Sequence, residues 1–526
     1  MRPRHFGLAI VLVGLFGAGF LVGKSPAVSG GGYHQLDTFV EVLKKVEDNY
    51  VDPVDSKKLI QGAIQGMLHG LDPFSQYLDR AAYADLKTLT EGQFGGLGIV
   101  ISVRDNYPTV ISPLEGTPAY SLGIQSGDVI VKIDGASTRG WTNEDTVRKL
   151  RGPEGTPVTI TVAREGEPGR DYSITRQIIH VRSVPYAFQV APGVGYLRLS
   201  NFSETTGDEV RAAIDRLERE GAHSLVLDLR DNPGGLLSQA VDVSEAFLHK
   251  NSLVVQTRGR GPESNGKIFA DGSRPHTEQP LVVLVNGGSA SASEIVAGAI
   301  QDQDRGLVVG TTSFGKGSVQ SLIELPEKNG ALKLTTARYY TPSGRSIHRE
   351  SWNRMAADDS SAGDEDLEAP GDAPADTAHR PLYKTHGGRA VYGGGGITPD
   401  LVVKPDTLQP IAREVERRGL FFRFAVHYAA AHKGEPAPAA ITPAMWSGFQ
   451  DLLKESKVPV PAADLAAERG YLERGLRREL ARRLAGGRGD EAAFRVASEG
   501  DVQLARAIDL LRRARNAGEL VRLSVR

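Results

Sequence analysis

The sequence predicts an α/β (α+β) multidomain chain with helices at both ends. Three observations predict it. Between residues 181 and 404, β-type runs alternate with helical ones: Gly195–Leu199, an amphipathic stretch Thr206–Glu220, Ser224–Leu229, Leu281–Val285, Ala292–Asp302 and Gly306–Val309. From Gly92 to about Arg164, short β-type runs are separated by turns such as Glu115-Gly116, Gly127-Asp128 and Asp134-Gly135. The flanks, Leu36–Leu89 and the stretch beyond Asp406, carry helical spacing instead. A length of 526 residues suits such a multidomain chain.

Each part has its own signal. Residues 1–32 read as an export signal or single membrane anchor: Arg2 and Arg4 precede an uncharged apolar run, Phe6–Gly23, closed by Lys24. Either outcome places the rest of the chain in the cell envelope, periplasmic or otherwise outside the cytoplasm, anchored in the inner membrane if residues 6–23 are retained. Residues 33–90 read as a helical packing or dimer region. Phe39, Val42, Leu43, Val46 and Tyr50 recur at helical spacing, Asp52-Pro53 breaks the pattern, and Leu59, Ile60, Ala63, Ile64 and Met67 resume it. Residues 91–168 form the β-rich module, with a short helix at Asn143–Leu150, and 169–405 the α/β core. Within the core, 356–378 holds eight Asp/Glu and no Lys or Arg, which reads as a disordered insert. Residues 406–526, rich in Ala, Leu, Arg and Glu, read as a helical C-terminal extension.

Composition excludes several chemistries. There are 62 Lys+Arg against 64 Asp+Glu, a net charge of -2, so no nucleic-acid partner is expected. Cysteine is absent, which removes thiol nucleophiles, disulfides and thiolate metal sites. None of the 12 histidines sits in an H-E-x-x-H pattern, and the G-x-S-x-G elbow is missing. No metal and no cofactor are expected.

Three segments carry candidate chemistry. After the strand ending at Val285, a Gly-Ser-Ala turn leads into a helix, so Ser289, Ser291 and Ser293 compete for a helix N-terminus. There, unpaired N–H groups favour a developing negative charge. Next, Lys316 lies between Gly315 and Gly317; desolvated beside a serine, its amine would act as a base without any histidine. Gly310-x-x-x-x-Gly315-Lys316 also matches most of a phosphate-binding loop. However, Gly317 stands where Ser or Thr is required, and a strand-like run follows instead of a helix. Third, Asp228–Gly235 ends a strand in a turn with consecutive glycines, Gly234 and Gly235, whose N–H groups suit an anion.

The combination GSASASEIVAGAIQD, TTSFGKGSVQ, DLRDNPGGLL, ARYYTPSGRSI and GGGGITPD resembles the carboxyl-terminal processing (tail-specific) protease family, over Leu36–Lys404. The resemblance implies an α/β protease core with an inserted PDZ domain. It implies a serine endopeptidase with a serine–lysine dyad, Ser291 as nucleophile and Lys316 as base. Gln320 would orient the lysine, since residues four apart share a strand face if that segment is extended. The oxyanion hole would be the N–H of Ala292 and of Gly234 or Gly235. Phe94, Gly95, Gly96, Leu97 and Gly98 would form the PDZ carboxylate-binding loop. Expected partners are protein substrates with unstructured C-terminal tails, a second or further copies of the chain, a regulatory adaptor, and the membrane if the N-terminal segment is retained. The competing reading is a non-catalytic PDZ scaffold of the envelope that binds tails. The acidic insert and the helical extension depart from the family pattern.

Overall fold

The computed structural model describes residues 31–165, 167–273, 277–326, 330–349, 380–432, 434–486 and 489–523. The apolar run 6–23 and the acidic insert 356–378 lie outside them. No helix among the described residues is long and apolar enough to cross a membrane.

Two units separate, Met1–Met67 and Leu68–Arg526. In the first, helix Gly31–Asn49 is followed by one starting at Ser56, where Asp55 accepts the N–H of Lys57 at 3.0 Å. Their apolar residues Phe39, Val40, Val42 and Ile60 are exposed.

In the second unit the helical reading of 33–90 needs correction. Asp72-Pro73 ends the helix Ser56–His69, and strand Gln76–Leu78 then joins a sheet of the core, antiparallel to Ala331–Tyr340. Helix Arg80–Glu91 follows. Asp79 caps it by accepting the N–H groups of Ala81 and Ala82, and Gly92, at φ +69°, ends it. The signal missed was non-local: three residues gain strand geometry only from a partner over 250 positions later.

The β-rich module is an antiparallel sheet ordered Ile99–Arg104, Tyr107–Pro113, Val129–Ile133, Pro157–Ala163, Arg170–Thr175. Alternation makes its core: Val158, Ile160 and Val162 point inward with Ile130, Ile133, Tyr172 and Ile174. Helix Asn143–Leu150 starts at a Thr142 capping box. The sheet runs past residue 168, because Arg170–Thr175 pairs along the whole of Pro157–Val162. Ile99–Arg104 is an edge strand.

The core is built on a six-stranded sheet. Tyr186–Ala191 is antiparallel to Val194–Arg198; Ser224–Asp228, Leu281–Val285, Leu307–Gly310 and Leu401–Val402 follow in parallel. Its central strands are buried throughout, as apolar runs covered on both faces must be. Leu281, Val283 and Val285 face helices Thr206–Arg219, Leu237–Glu245 and Ala292–Asp302. Val282 and Leu284 face the other way, onto Leu504, Ala507, Leu510 and Leu511 of helix Val502–Arg512. The C-terminal extension therefore supplies the second helical layer. A second, antiparallel sheet holds Gln76–Leu78, Leu253–Gly259, Gly266–Phe269, Ser318–Glu324 and Ala331–Tyr340.

Candidate active site

Parallel strands deliver their C-terminal ends to one edge of the sheet, and loops from three of them converge there. From Val285 the chain passes through a turn into helix Ala292–Asp302, with Ser291 at its N-terminus. The structure separates the three serines. Ser289 and Ser293 are fully buried, and their hydroxyls donate to the carbonyls of Leu229 (2.8 Å) and Asn232 (2.9 Å). Ser291 is only partly covered and holds φ +54°, ψ −112°, a conformation that costs an L-residue roughly 1–3 kcal/mol. Its neighbours impose that geometry. Glu294 accepts the Ser291 N–H at 2.9 Å, Tyr339 donates to the Ser291 carbonyl at 3.1 Å, and Asn232 accepts the Ala290 N–H at 3.0 Å.

The Asp228–Gly235 turn packs directly against this elbow. Asn232, fully buried, organises it: its amide donates to the Leu199 carbonyl and its Oδ1 accepts the Gly234 N–H, both at 2.9 Å. Gly234 is therefore not a free donor, which leaves Gly235 of the two glycines expected as alternatives. The role of Gly234 is space: a Cβ there would lie 2.8 Å from the Ser291 Cβ and the Ala292 nitrogen. Among the described residues, the N–H groups of Gly235 and Ala292 donate to nothing. Ala292 opens the helix after Ser291, and Gly235 follows the Gly234 that packs on Ser291 and Ala292.

The loop after Leu307–Gly310 brings Lys316. Glu294 anchors that loop as well, accepting Ser313 Oγ and the N–H groups of Gly315 (2.8 Å) and Lys316 (2.9 Å). One buried carboxylate thus ties the backbones of Ser291 and Lys316 together. Burial pushes its pKa up, and the donated hydrogen bonds oppose that shift. The Lys316 amine lies 5.0 Å from the centroid of the Phe74 ring. Desolvation, then repulsion from Lys333, lowers its pKa to about 8, against the pull of Glu294 and Asp72. No hydrogen bond joins the Ser291 hydroxyl to the Lys316 amine among the described residues; such contacts are often loose without substrate.

No hydrogen bond joins Gln320 to that amine among the described residues. The Gln320 amide donates to Ser318 (2.8 Å) and Thr335 (3.3 Å). Lys316 precedes the strand Ser318–Glu324, so the face-sharing argument from strand alternation does not extend to it. The phosphate-loop reading fails on the same strand, since no helix follows the lysine. Among the described residues there is no acidic or histidine cluster that could hold a metal.

The expected carboxylate-binding loop is also rearranged. Phe94, Gly95 and Gly96 lie in a strand, Gln93–Gly96, paired with Gln177–His180. Gly95 packs so closely on the Gly152 carbonyl that a Cβ would sit 2.1 Å away, and Phe94 lies under Arg151. Only Leu97 and Gly98, at φ +76°, turn the chain into the edge strand, and the Leu97 side chain is buried.

Glu294, Asn232 and Tyr339 were not singled out from the sequence. For Glu294 a signal existed, because Ser291-x-x-Glu294 has capping-box spacing. Asn232 reaches the elbow through the Ala290 N–H and, 61 positions away, the Ser293 hydroxyl, and Tyr339 through the Ser291 carbonyl 48 positions away, partners that no local pattern shows.

Comparison with known proteins accords with this geometry. Residues 193–354 match Peptidase family S41, 109–164 a PDZ domain, and 23–82 the N-terminal domain of the activating protease CtpB. The carboxy-terminal-processing protease of Bartonella bacilliformis is 48% identical over 320 residues, 60% of this chain and 73% of that protein. The carboxy-terminal processing protease CtpA of Bacillus subtilis is 35% identical over 331 residues, 63% and 70% of the two chains. A solved photosystem II D1 C-terminal processing protease is 32% identical, covering 59% of this chain and 89% of its own, with a TM-score of 0.34.

Proposed function

Since the chain belongs to the carboxy-terminal processing proteases, serine-type peptidases of family S41 with a PDZ domain, we propose that Ser291 and Lys316 are its catalytic dyad. Its substrates are then unstructured C-terminal tails of envelope proteins. The edge strand Ile99–Arg104 takes the tail as an added strand, and backbone hydrogen bonding supplies sequence-tolerant affinity. Neutral Lys316 removes the proton from Ser291 Oγ as that oxygen attacks the scissile carbonyl. The N–H groups of Ala292 and Gly235 receive the oxyanion; one such donor contributes about 3 kcal/mol to lowering the barrier. The Lys316 ammonium then protonates the leaving amine, leaving an acyl-enzyme. Lys316 next activates water, which releases the acid.

The observation that carries this reading is the Glu294 carboxylate, which accepts the backbone N–H of both Ser291 and Lys316. The test compares the protein with its Ser291→Ala and Lys316→Ala variants on an unstructured reporter with an apolar C-terminus. Cleavage by the parent alone is expected. Tail binding without cleavage by any of the three would favour the scaffold reading. The envelope location is supported by the basic, then apolar start of the sequence. Periplasmic activity of a reporter enzyme fused after residue 32 is the expected result; cytoplasmic retention would refute it.

A further inference from the structure

The Lys316 amine is enclosed by a turn that belongs neither to the serine elbow nor to the lysine loop. In this turn the Asp72 carboxylate accepts the N–H groups of Phe74 (2.8 Å) and Ser75 (2.9 Å) and the Ser75 hydroxyl (2.8 Å). It also receives the Thr335 hydroxyl at 3.2 Å, while Ser75 Oγ receives the Thr335 N–H at 3.1 Å. The turn is thereby pinned to strand Ala331–Tyr340. The attachment continues through Gln76–Leu78, with Gln76 opposite Lys333. This pinning sets the buried Phe74 ring against the Lys316 amine.

Lys333 stands two residues before Thr335 on that strand. Residues two apart share a face, and the register shift opposite Val319 and Gln320 comes only after Thr335. Lys333 therefore points to the side on which Thr335 meets Asp72. The charged groups acting on the Lys316 amine are Lys333, Glu294 and Asp72, and the one acting on Lys333 is Asp72. Burial disfavours the charge on both amines. Lys333 adds like-charge repulsion at Lys316, and the two carboxylates oppose it.

We propose that Lys333 is a positioning residue for the proteolytic base: its ammonium, on the strand face that meets the Asp72 turn, keeps the Lys316 amine unprotonated while Phe74 excludes water from it. The inference rests on the reading of Lys316 as base. A second cation beside an amine is a general way to make a lysine reactive near neutral pH.

Two variants give opposite signs. Lys333→Met removes the cation and keeps the aliphatic stem, so Lys316 retains its proton to higher pH. Asp72→Asn keeps an oxygen acceptor for the turn but removes an attractive charge, so Lys316 loses its proton at lower pH. A general loosening of the site would not move the two apart.

The experiment titrates the full chain, its lysines labelled with carbon-13 at Cε, by NMR; the Lys316 resonance is the one lost in Lys316→Met. The midpoint is expected near 8 in the parent. It is expected to rise by about one pH unit in Lys333→Met, to stay low in Lys333→Arg and to fall in Asp72→Asn. The acidic limb of kcat/KM should move with it. If Lys333→Met fails to melt cooperatively, Lys333→Gln replaces it. An unmoved midpoint in the folded variant, or shifts of the same sign in both, overturns the proposal. Turnover of Lys316→Ala separates the two readings. If that variant still cleaves, the base reading has failed. If it is inactive while the midpoint ignores Lys333, only the present inference has.

Discussion

Ser291 is held at φ +54° by partners that each have a separate measurable effect. Glu294 is the chief of them, since it receives donors from the serine elbow and the lysine loop at once. Glu294→Gln keeps the shape but turns an NH2 group toward backbone N–H donors. A charged hydrogen bond is worth about 1.5–3 kcal/mol, so kcat/KM is expected to fall roughly ten- to a hundredfold, with the fold retained by circular dichroism. Parent-like activity would show that the clip is dispensable. The pH dependence follows from Lys316. As the proposed base it accepts the proton only when neutral, so activity should rise with pH through about 8 and level off above it. A profile flat from about pH 5 to 9 would remove a titrating lysine from the mechanism. At this scale the sequence showed the serine cluster at a strand–helix junction and a glycine-flanked lysine. It did not show which serine hydroxyl is left uncommitted, because that depends on the Leu229 and Asn232 carbonyls about 60 positions away.

Between elements, the Asp228–Gly235 turn and the serine elbow are in backbone contact, which Gly234 permits at φ +96°. Gly234→Ala would thrust a methyl onto Ser291 and Ala292 and is expected to abolish cleavage even if the protein still melts cooperatively. Retained activity would show that the turn can retreat without losing the oxyanion donor. The strands and helices of the core were readable from periodicity, because the central strands are continuous apolar runs. What misled was local geometry that only a partner strand creates. Gln320 spends its amide on Ser318 and on Thr335 of the neighbouring strand, and Lys316 lies before the strand on which their common face was argued. Likewise Gly95 and Gly96 suggest an anion cradle until Gln177–His180 is seen to pair with them.

The whole molecule depends on the C-terminal extension more than its sequence suggested. Helix Val502–Arg512 covers the face of the sheet formed by Val226, Val282, Leu284 and Val309. Asp501 pairs with Arg230 at 2.7 Å, and Gln503 accepts from the same guanidinium at 2.9 Å, so the extension also braces the turn that carries Gly235. Further helices meet the PDZ module, where Arg104 lies over Phe422 and Ser112 donates to Asp490 at 3.0 Å. A chain ending at residue 405 would expose the apolar face and is expected to aggregate or to bind a hydrophobic dye without a cooperative thermal transition. A soluble, cooperatively melting truncation would contradict this. The extension read as separate helices because its partners lie far upstream, Arg230 being 273 positions from Gln503, beyond the reach of any local pattern.

The central claim is covalent chemistry at Ser291, so the most direct measurement is to trap the intermediate. Full-length protein is mixed with an unstructured peptide ester ending in apolar residues, quenched in acid within one turnover, and mapped by mass spectrometry. The account predicts the acyl fragment on the peptide containing Ser291, and none in Ser291→Ala. Turnover of the ester with the acyl group on another residue, or with no adduct at any quench time, would contradict it.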